Sequence, residues 1–137
     1  MTETSSNDGI FFVFPRSSTN LPPIADAGIP QSEDDVIINP GIPPPDNILN
    51  PVTITLDGIG SSDPEGGTIT YLWTIINDAG TGITLDDVTS ATPSLSAIVD
   101  VLVDTPLIFG LVVNDGVLDS ALDTVTITIE DSEVVVP

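Results

Sequence analysis

The chain contains no cysteine and no histidine. Disulfides and thiolate metal sites are therefore excluded, and so is any nucleophile that relies on a Cys–His or Ser–His pair. The missing cysteine does not by itself fix the compartment. Basic residues are almost as scarce: one Lys or Arg stands against 21 Asp plus Glu, for a net charge of −20. Nucleic acid is excluded as a partner, because phosphate binding rests on Lys and Arg. An anionic membrane surface is disfavoured by the same charge. A chain this acidic repels itself unless salt screens it or cations bind. No run approaches the ~18 apolar residues of a membrane helix, so membrane insertion is not expected. The opening MTETSSNDGIFFVF lacks a basic region and carries an apolar run of only five residues, so it does not read as a signal peptide.

What remains is rich in Val, Ile, Leu and Thr, with 40% of residues apolar and 4% aromatic. β-Branched residues of this kind favour strands, and no amphipathic helix longer than two turns stands out. Acidic chains are often disordered, but low hydrophobicity normally accompanies that, and here it does not. At 137 residues the sequence fits one domain with extensions. Residues 1–20 read as an N-terminal extension, 21–131 as the domain with a Pro-rich loop over 39–51, and 132–137 as a tail.

The chain is organised around Val52–Thr74, VTITLDGIGSSDPEGGTITYLWT. Val52, Ile54 and Leu56 alternate with Thr53, Thr55 and Asp57, and Ile69, Tyr71 and Trp73 alternate with Thr70, Leu72 and Thr74. Alternation of period two is the signature of a strand. The intervening GIGSSDPEGG holds four glycines, a proline and two carboxylates, which is turn chemistry. The stretch reads as a hairpin whose Trp73 fills the centre of the core. Further strands are expected near Leu21–Gly28, Val36–Ile38, Ile83–Asp86, Ser94–Val99, Leu107–Asn114 and Thr124–Glu130. Ser32–Asn50, with Pro40, Pro43, Pro44, Pro45 and then Pro51, reads mostly as an irregular or polyproline-II loop. Seven to eight short strands with turns at regular intervals predict an all-β, immunoglobulin-like β-sandwich with an N-terminal extension strand.

These residues resemble a known family. LPPIADAG, LDGIGSSDPEGGTITYLWT, ITLDDVTSATPSLSAIV and LIFGLVVNDGVLDSALDTVTITI follow the layout of PKD-type domains, notably the branch of the KIAA0319-like surface proteins and their bacterial and archaeal relatives. The match covers about Leu21–Asp131. The resemblance implies an extracellular, non-catalytic spacer or adhesion module, often in tandem arrays and in some cases calcium-binding. The Ser32–Asn50 loop is longer than the family pattern, and the apolar leader has no counterpart in it.

In such a sandwich the domain entry and two of the loops converge at one pole. Here they carry Asn20 and Asp26, then Asp63 and Glu65, then Asn114, Asp115 and Asp119. Carboxylates gathered without a Lys are costly unless water or a cation separates them. Calcium takes six to eight oxygen ligands, and the resemblance carries its ligation onto Asp63, Glu65, Asp115 and Asn20. The alternative is that Asp63 caps its own turn and the acids are solvated. Glu33–Asp35 and Asp86–Asp87 read as solvated loops. No N-x-Ser/Thr sequon is present, so any glycan would be O-linked.

Ile10–Phe14, IFFVF, holds three of the four phenylalanines and lies outside the domain. Ile10, Phe12 and Phe14 would share one face of a strand, Phe11 and Val13 the other. Such a segment wants burial on both sides. Either it packs back on its own domain as an edge strand, or it docks on a neighbouring subunit by strand addition. A second apolar run, Val134, Val135 and Val136, closes the chain. The expectation is a non-enzymatic structural subunit of an extracellular filament on a prokaryotic cell surface, with itself as partner. The alternative is a calcium-stabilised module of a tandem-repeat surface protein that binds glycan or protein.

Overall fold

The computed structural model describes residues 19–34, 37–38, 48–49, 52–97 and 103–131. Ile10–Phe14, Val134–Val136 and the prolines from Pro40 to Pro51 lie outside the described residues. Within them run β1 (Gln31–Asp34), β2 (Ile37–Ile38), β3 (Ile48–Leu49), β4 (Val52–Thr55), β5 (Thr70–Asn77), β6 (Thr84–Leu85), β7 (Ser94–Ala97), β8 (Thr105–Asn114) and β9 (Asp123–Glu130).

β8 is the axis. Its inward side chains Leu107, Phe109, Leu111 and Val113 are fully buried. β5 and β9 flank it antiparallel, placing Trp73 opposite Leu111 and Val125 opposite Phe109. Leu107 likewise faces Ile127. β1 adds to the far side of β9 in parallel, giving the order β1-β9-β8-β5. The second sheet has the order β4-β7-β6 and supplies Ile54 and Leu95 to the core. Leu56, just past β4, joins them. Burying each of these large side chains stabilises the fold by about 1.5–3 kcal/mol before entropy is charged against it. The two sheets hold seven strands, and β2 and β3 form a separate antiparallel pair. The all-β sandwich expected from alternation is the observed architecture.

Three details differ from the sequence expectation. Val52–Thr74 is not a hairpin: β4 pairs with β7 and β5 with β8, so the acidic turn carries the chain from one sheet to the other. Leu21–Gly28 is not a strand but an extended entry, tied to the acidic turn by paired backbone bonds, Ile24 N to Ser62 O at 2.7 Å and Ser62 N to Ile24 O at 3.0 Å. The Ser32–Asn50 stretch holds β2 where a strand was expected near Val36–Ile38, but it also contains most of β1 and all of β3, which were read as loop.

Entry and core are linked by close backbone contacts. A Cβ on Gly28, whose φ is +80°, would lie 2.8 Å from the Asp57 carbonyl oxygen. Only glycine lets the entry strand pass there. A Cβ on Gly58 would lie 3.1 Å from the Trp73 ring, so the backbone after β4 rests directly on the indole. The indole N–H donates to the Ser90 carbonyl at 3.1 Å, which ties the β6–β7 loop to the same ring. Trp73→Ala should therefore cost about 3–5 kcal/mol. Urea unfolding followed by circular dichroism measures it. A loss below about 1 kcal/mol would show that the core does not depend on this residue.

Candidate functional site at the acidic pole

The antiparallel run of β8 into β9 places Asn114, the β8–β9 loop and Asp123 at one end of the sandwich. β5 begins at the same end, opposite Asn114. The acidic turn that precedes β5 and the domain entry reach this pole as well.

The structure brings three of the expected residues together. Asn20 Nδ2 donates to Asp115 Oδ2 at 2.8 Å, joining entry to β8–β9 loop. The Leu21 backbone N–H reaches Glu65 Oε2 at 3.4 Å, a long contact that joins entry to acidic turn. Asp63 is turned into its own loop. Its Oδ1 accepts from the Glu65 N–H at 3.1 Å and its Oδ2 from the Gly67 N–H at 2.7 Å. Asp115 Oδ1 accepts from the N–H groups of Val117 and Leu118 at 2.7 and 2.8 Å. These bonds, the Leu118 N–H foremost, hold the Asp115 carboxyl below its ordinary range despite some desolvation. Asp26 Oδ1 accepts from the Gly28 N–H at 2.9 Å, and Asp119 Oδ1 accepts from Asn114 Nδ2 at 2.7 Å.

The donor set was weighed against calcium. Both oxygens of Asp63 and both of Asp115 already accept protein donors. Among the described residues no three Asp or Glu side chains gather as a metal ion requires. An ion needs oxygens that converge on one point, whereas Asp63 turns into its own loop and Asp115 and Glu65 are bonded to the entry segment. As they stand, the four side chains do not make a calcium site. They do Asx-turn and loop-bridging work.

Several pole residues carried no sequence signal. Asp123 Oδ2 accepts from the Ala27 N–H at 2.7 Å, fixing the entry strand to the start of β9. Ser120 is buried, accepts from the Val113 N–H at 3.0 Å and donates to the Ala121 carbonyl at 2.8 Å. Asp87, expected to be merely solvated, accepts from both the hydroxyl and the N–H of Thr89, and its carboxyl is lowered, chiefly by the hydroxyl. Asp86 Oδ1 accepts from the Ser94 N–H at 2.8 Å and holds the start of β7. No residue type or spacing separates these acids from the others. Asp123 finds its partner 96 residues away, Asp86 eight and Asp87 two. Beside the pole an open groove of about 580 Å³ runs along Ile69, Tyr71, Leu72 and Val112 to Asp119.

Two facing sheets, a central Trp and first and last strands paired in parallel define an immunoglobulin-like domain. Within that class the chain belongs to the K319L-like PKD domain family, whose model matches residues 46–129, more than half of the sequence. Its fold is similar to the solution structure of the PKD domain from KIAA 1837 protein, with a TM-score of 0.55 and 24% identity over 82% of this chain and 92% of that one. It is also similar to part of a nucleoside hydrolase-related hypothetical protein from Saccharophagus degradans that is associated with carbohydrate metabolism, with a TM-score of 0.58 and 18% identity over 81% of this chain. The chain spans only 26% of that protein's length. No curated protein sequence matches this chain. PKD domains as a family are non-catalytic immunoglobulin-like modules, typically extracellular. Among the described residues no helix is long and apolar enough to cross a membrane.

Two outcomes follow for the pole. Lowered carboxyls mean that the unfolded chain takes up protons first as pH falls. Asp115 and Asp87 thus contribute stability that is complete above about pH 4, the ordinary carboxylate range, and is lost as pH drops through their folded values. Melting curves between about pH 2 and 6 should show Asp115→Asn less stable than the parent at neutral pH, with the gap closing in acid. A gap independent of pH would contradict the role given to the charge. Calcium chloride should shift the melting temperature no more than sodium chloride of equal ionic strength. A specific rise abolished by Asp115→Asn would show that the loops rearrange to bind the ion.

Proposed function

We propose that this protein is a structural subunit of an extracellular filament or surface assembly on a prokaryotic cell. Subunits join head to tail, with Ile10–Phe14 of one docked on its neighbour and Val134–Val136 contributing at the other end. The observation that carries this is the placement of the two ends of the described domain, at Asn20 and Asp131. The chain enters at the acidic pole, where Asn20 is bonded to Asp115. It leaves at the opposite pole, where β9 ends beside the start of β8 and the Asp131 N–H donates to Asp104 Oδ1 at 3.1 Å. With strands of up to ten residues between them, the ends stand about 30 Å apart along the strand direction. A domain with ends so placed suits longitudinal repetition. A heterologous contact between the ends does not close on itself and propagates as a fibre. Net charge keeps the remaining surfaces of such subunits apart.

The same placement of ends favours a second function, a spacer or adhesion module within a tandem array that binds glycan or protein through its loops. Electron microscopy of the purified protein separates the two. Full-length protein should form filaments in calcium and in chelator alike, and a chain beginning at Ser17 should stay monomeric. Monomers from both would overturn the filament and leave the tandem module.

A further inference from the structure

The face of the four-stranded sheet that turns away from the core is the neutral part of a very acidic molecule. Leu72 lies opposite Val112 in the register of β5 and β8, and Leu122, one residue before β9, falls in the same row. The next row centres on Gly110, where the missing side chain leaves a gap. A Cβ there would lie 2.8 Å from Leu122 Cδ1 and 2.9 Å from Ile76 Cδ1, so these two side chains lean over the glycine. Leu72, Ile76 and Leu122 are 53%, 49% and 57% exposed. Ile108 and the threonines of β9 continue the face without a charge. Among the described residues its acids stand at the margins, at Asp119 near the entry pole and at Glu130 and Asp34 at the far end. An uncharged face with Leu72, Ile76 and Leu122 half-exposed at its centre, on a −20 chain, is a surface open to a cover.

The sheet edges are poorly suited to receiving an added strand. The exposed side of β5 is interrupted at its middle, where the Trp73 N–H donates to the Val88 carbonyl at 2.8 Å, and by the register shift between Ile75 and Asn77. β1 carries the exposed charges of Glu33 and Asp34. Bulges, covering loops and edge charges are the usual guards against strand addition. On the four-stranded sheet, the face and not an edge is the open surface.

The position of the chain entry identifies the cover. Asn20 is fixed to Asp115, immediately after β8. Val112 lies three residues back along that strand, about 10 Å away. The four residues 15–18 between Phe14 and Thr19 reach about 14 Å when extended. Phe14 can therefore stand over the Leu122–Val112–Leu72 row, with residues 10–13 running on over Gly110. The segment is uncharged and holds three of the four phenylalanines. A tether this short gives it a local concentration in the millimolar range.

We propose that the chain's own Ile10–Phe14 segment lies across this face in the isolated subunit, its aromatic side chains seated between Leu72, Ile76 and Leu122 above Gly110. In the filament proposed above, the segment leaves its own face in exchange for the end of the neighbouring subunit. The inference rests on that function only for the exchange, and the closed subunit stands without it.

The absence of native cysteine makes the test direct. Phe12→Cys is paired with Leu72→Cys, and in a control with Thr53→Cys, an exposed position on the other sheet. In dilute protein under mild oxidation, the first pair should form a disulfide within the monomer at least about tenfold faster than the control. Equal rates, or no disulfide in either pair, would overturn the assignment. Disulfides found only between chains would also overturn it, while leaving the filament standing. Failure to see filaments alongside a fast internal disulfide would remove the filament and keep the closed subunit. As a second measurement, Leu72→Glu/Leu122→Glu changes only exposed side chains and should make the bonds after Phe11 and Phe12 readily cleaved by chymotrypsin. Cleavage as slow as in the parent would count against docking on this face.

Discussion

With one basic residue for 21 acids, nearly all the carboxylates must do without a side-chain cation, and among the described residues their principal protein donors are backbone N–H groups. The loops are built from that constraint. Asp57, Asp63, Asp78, Asp87 and Asp115 each accept the N–H of a residue two positions on, the Asx-turn bond. Asp26 does the same for Gly28. Such bonds are charge-assisted, and they hold short turns without disulfide or metal. Acidity here is thus a structural resource as well as a source of repulsion. Some of these acids hold local turns, and others, such as Asp123 and Asp104, tie together segments far apart in the chain.

The same economy couples the pole to the core. Ser120 completes the bonding of Val113 at the end of β8, and Asp123 fixes Ala27, itself a core residue. The entry strand packs so close to Asp57 that Gly28 is required. Trp73 connects the other direction, touching the backbone at Gly58 and binding the β6–β7 loop through Ser90. Among the described residues no buried side-chain polar atom lacks a partner. The loops and the sandwich therefore form one cooperative unit rather than a scaffold with loose ends.

Alternation made most of this fold legible. Leu107, Phe109, Leu111 and Val113, and again Val125, Ile127 and Ile129, read directly as the inward face of strands, and all are buried. Trp73 as the central residue was equally plain. Sheet membership was not. Alternation says that Val52–Thr55 and Thr70–Asn77 are strands, but a short acidic turn suits a hairpin and a crossover alike, and only the core decides. β1 escaped because QSED is polar on both sides: it is a mostly exposed edge recruited by the backbone of β9, with no apolar face to announce it. At the pole, the convergence of Asn20, Glu65 and Asp115 followed from the family layout. The direction in which each carboxylate turns did not, because it depends on N–H groups that every residue except proline carries.

The parallel pairing of β1 with β9 has a mechanical consequence. Tension applied through the two chain ends would draw the entry strand toward the acidic pole and the end of β9 toward the other. β1 runs parallel to β9 over Gln31–Asp34 against Ile127–Glu130, so this load would fall on their ladder in shear. In shear the bonds of a ladder bear the force together, whereas in an opened hairpin they yield one by one. The bonds from Asn20 to Asp115 and from Ala27 to Asp123 lie ahead of that ladder along the line of pull. A domain so arranged behaves as a stiff link that holds its length until several contacts give way at once.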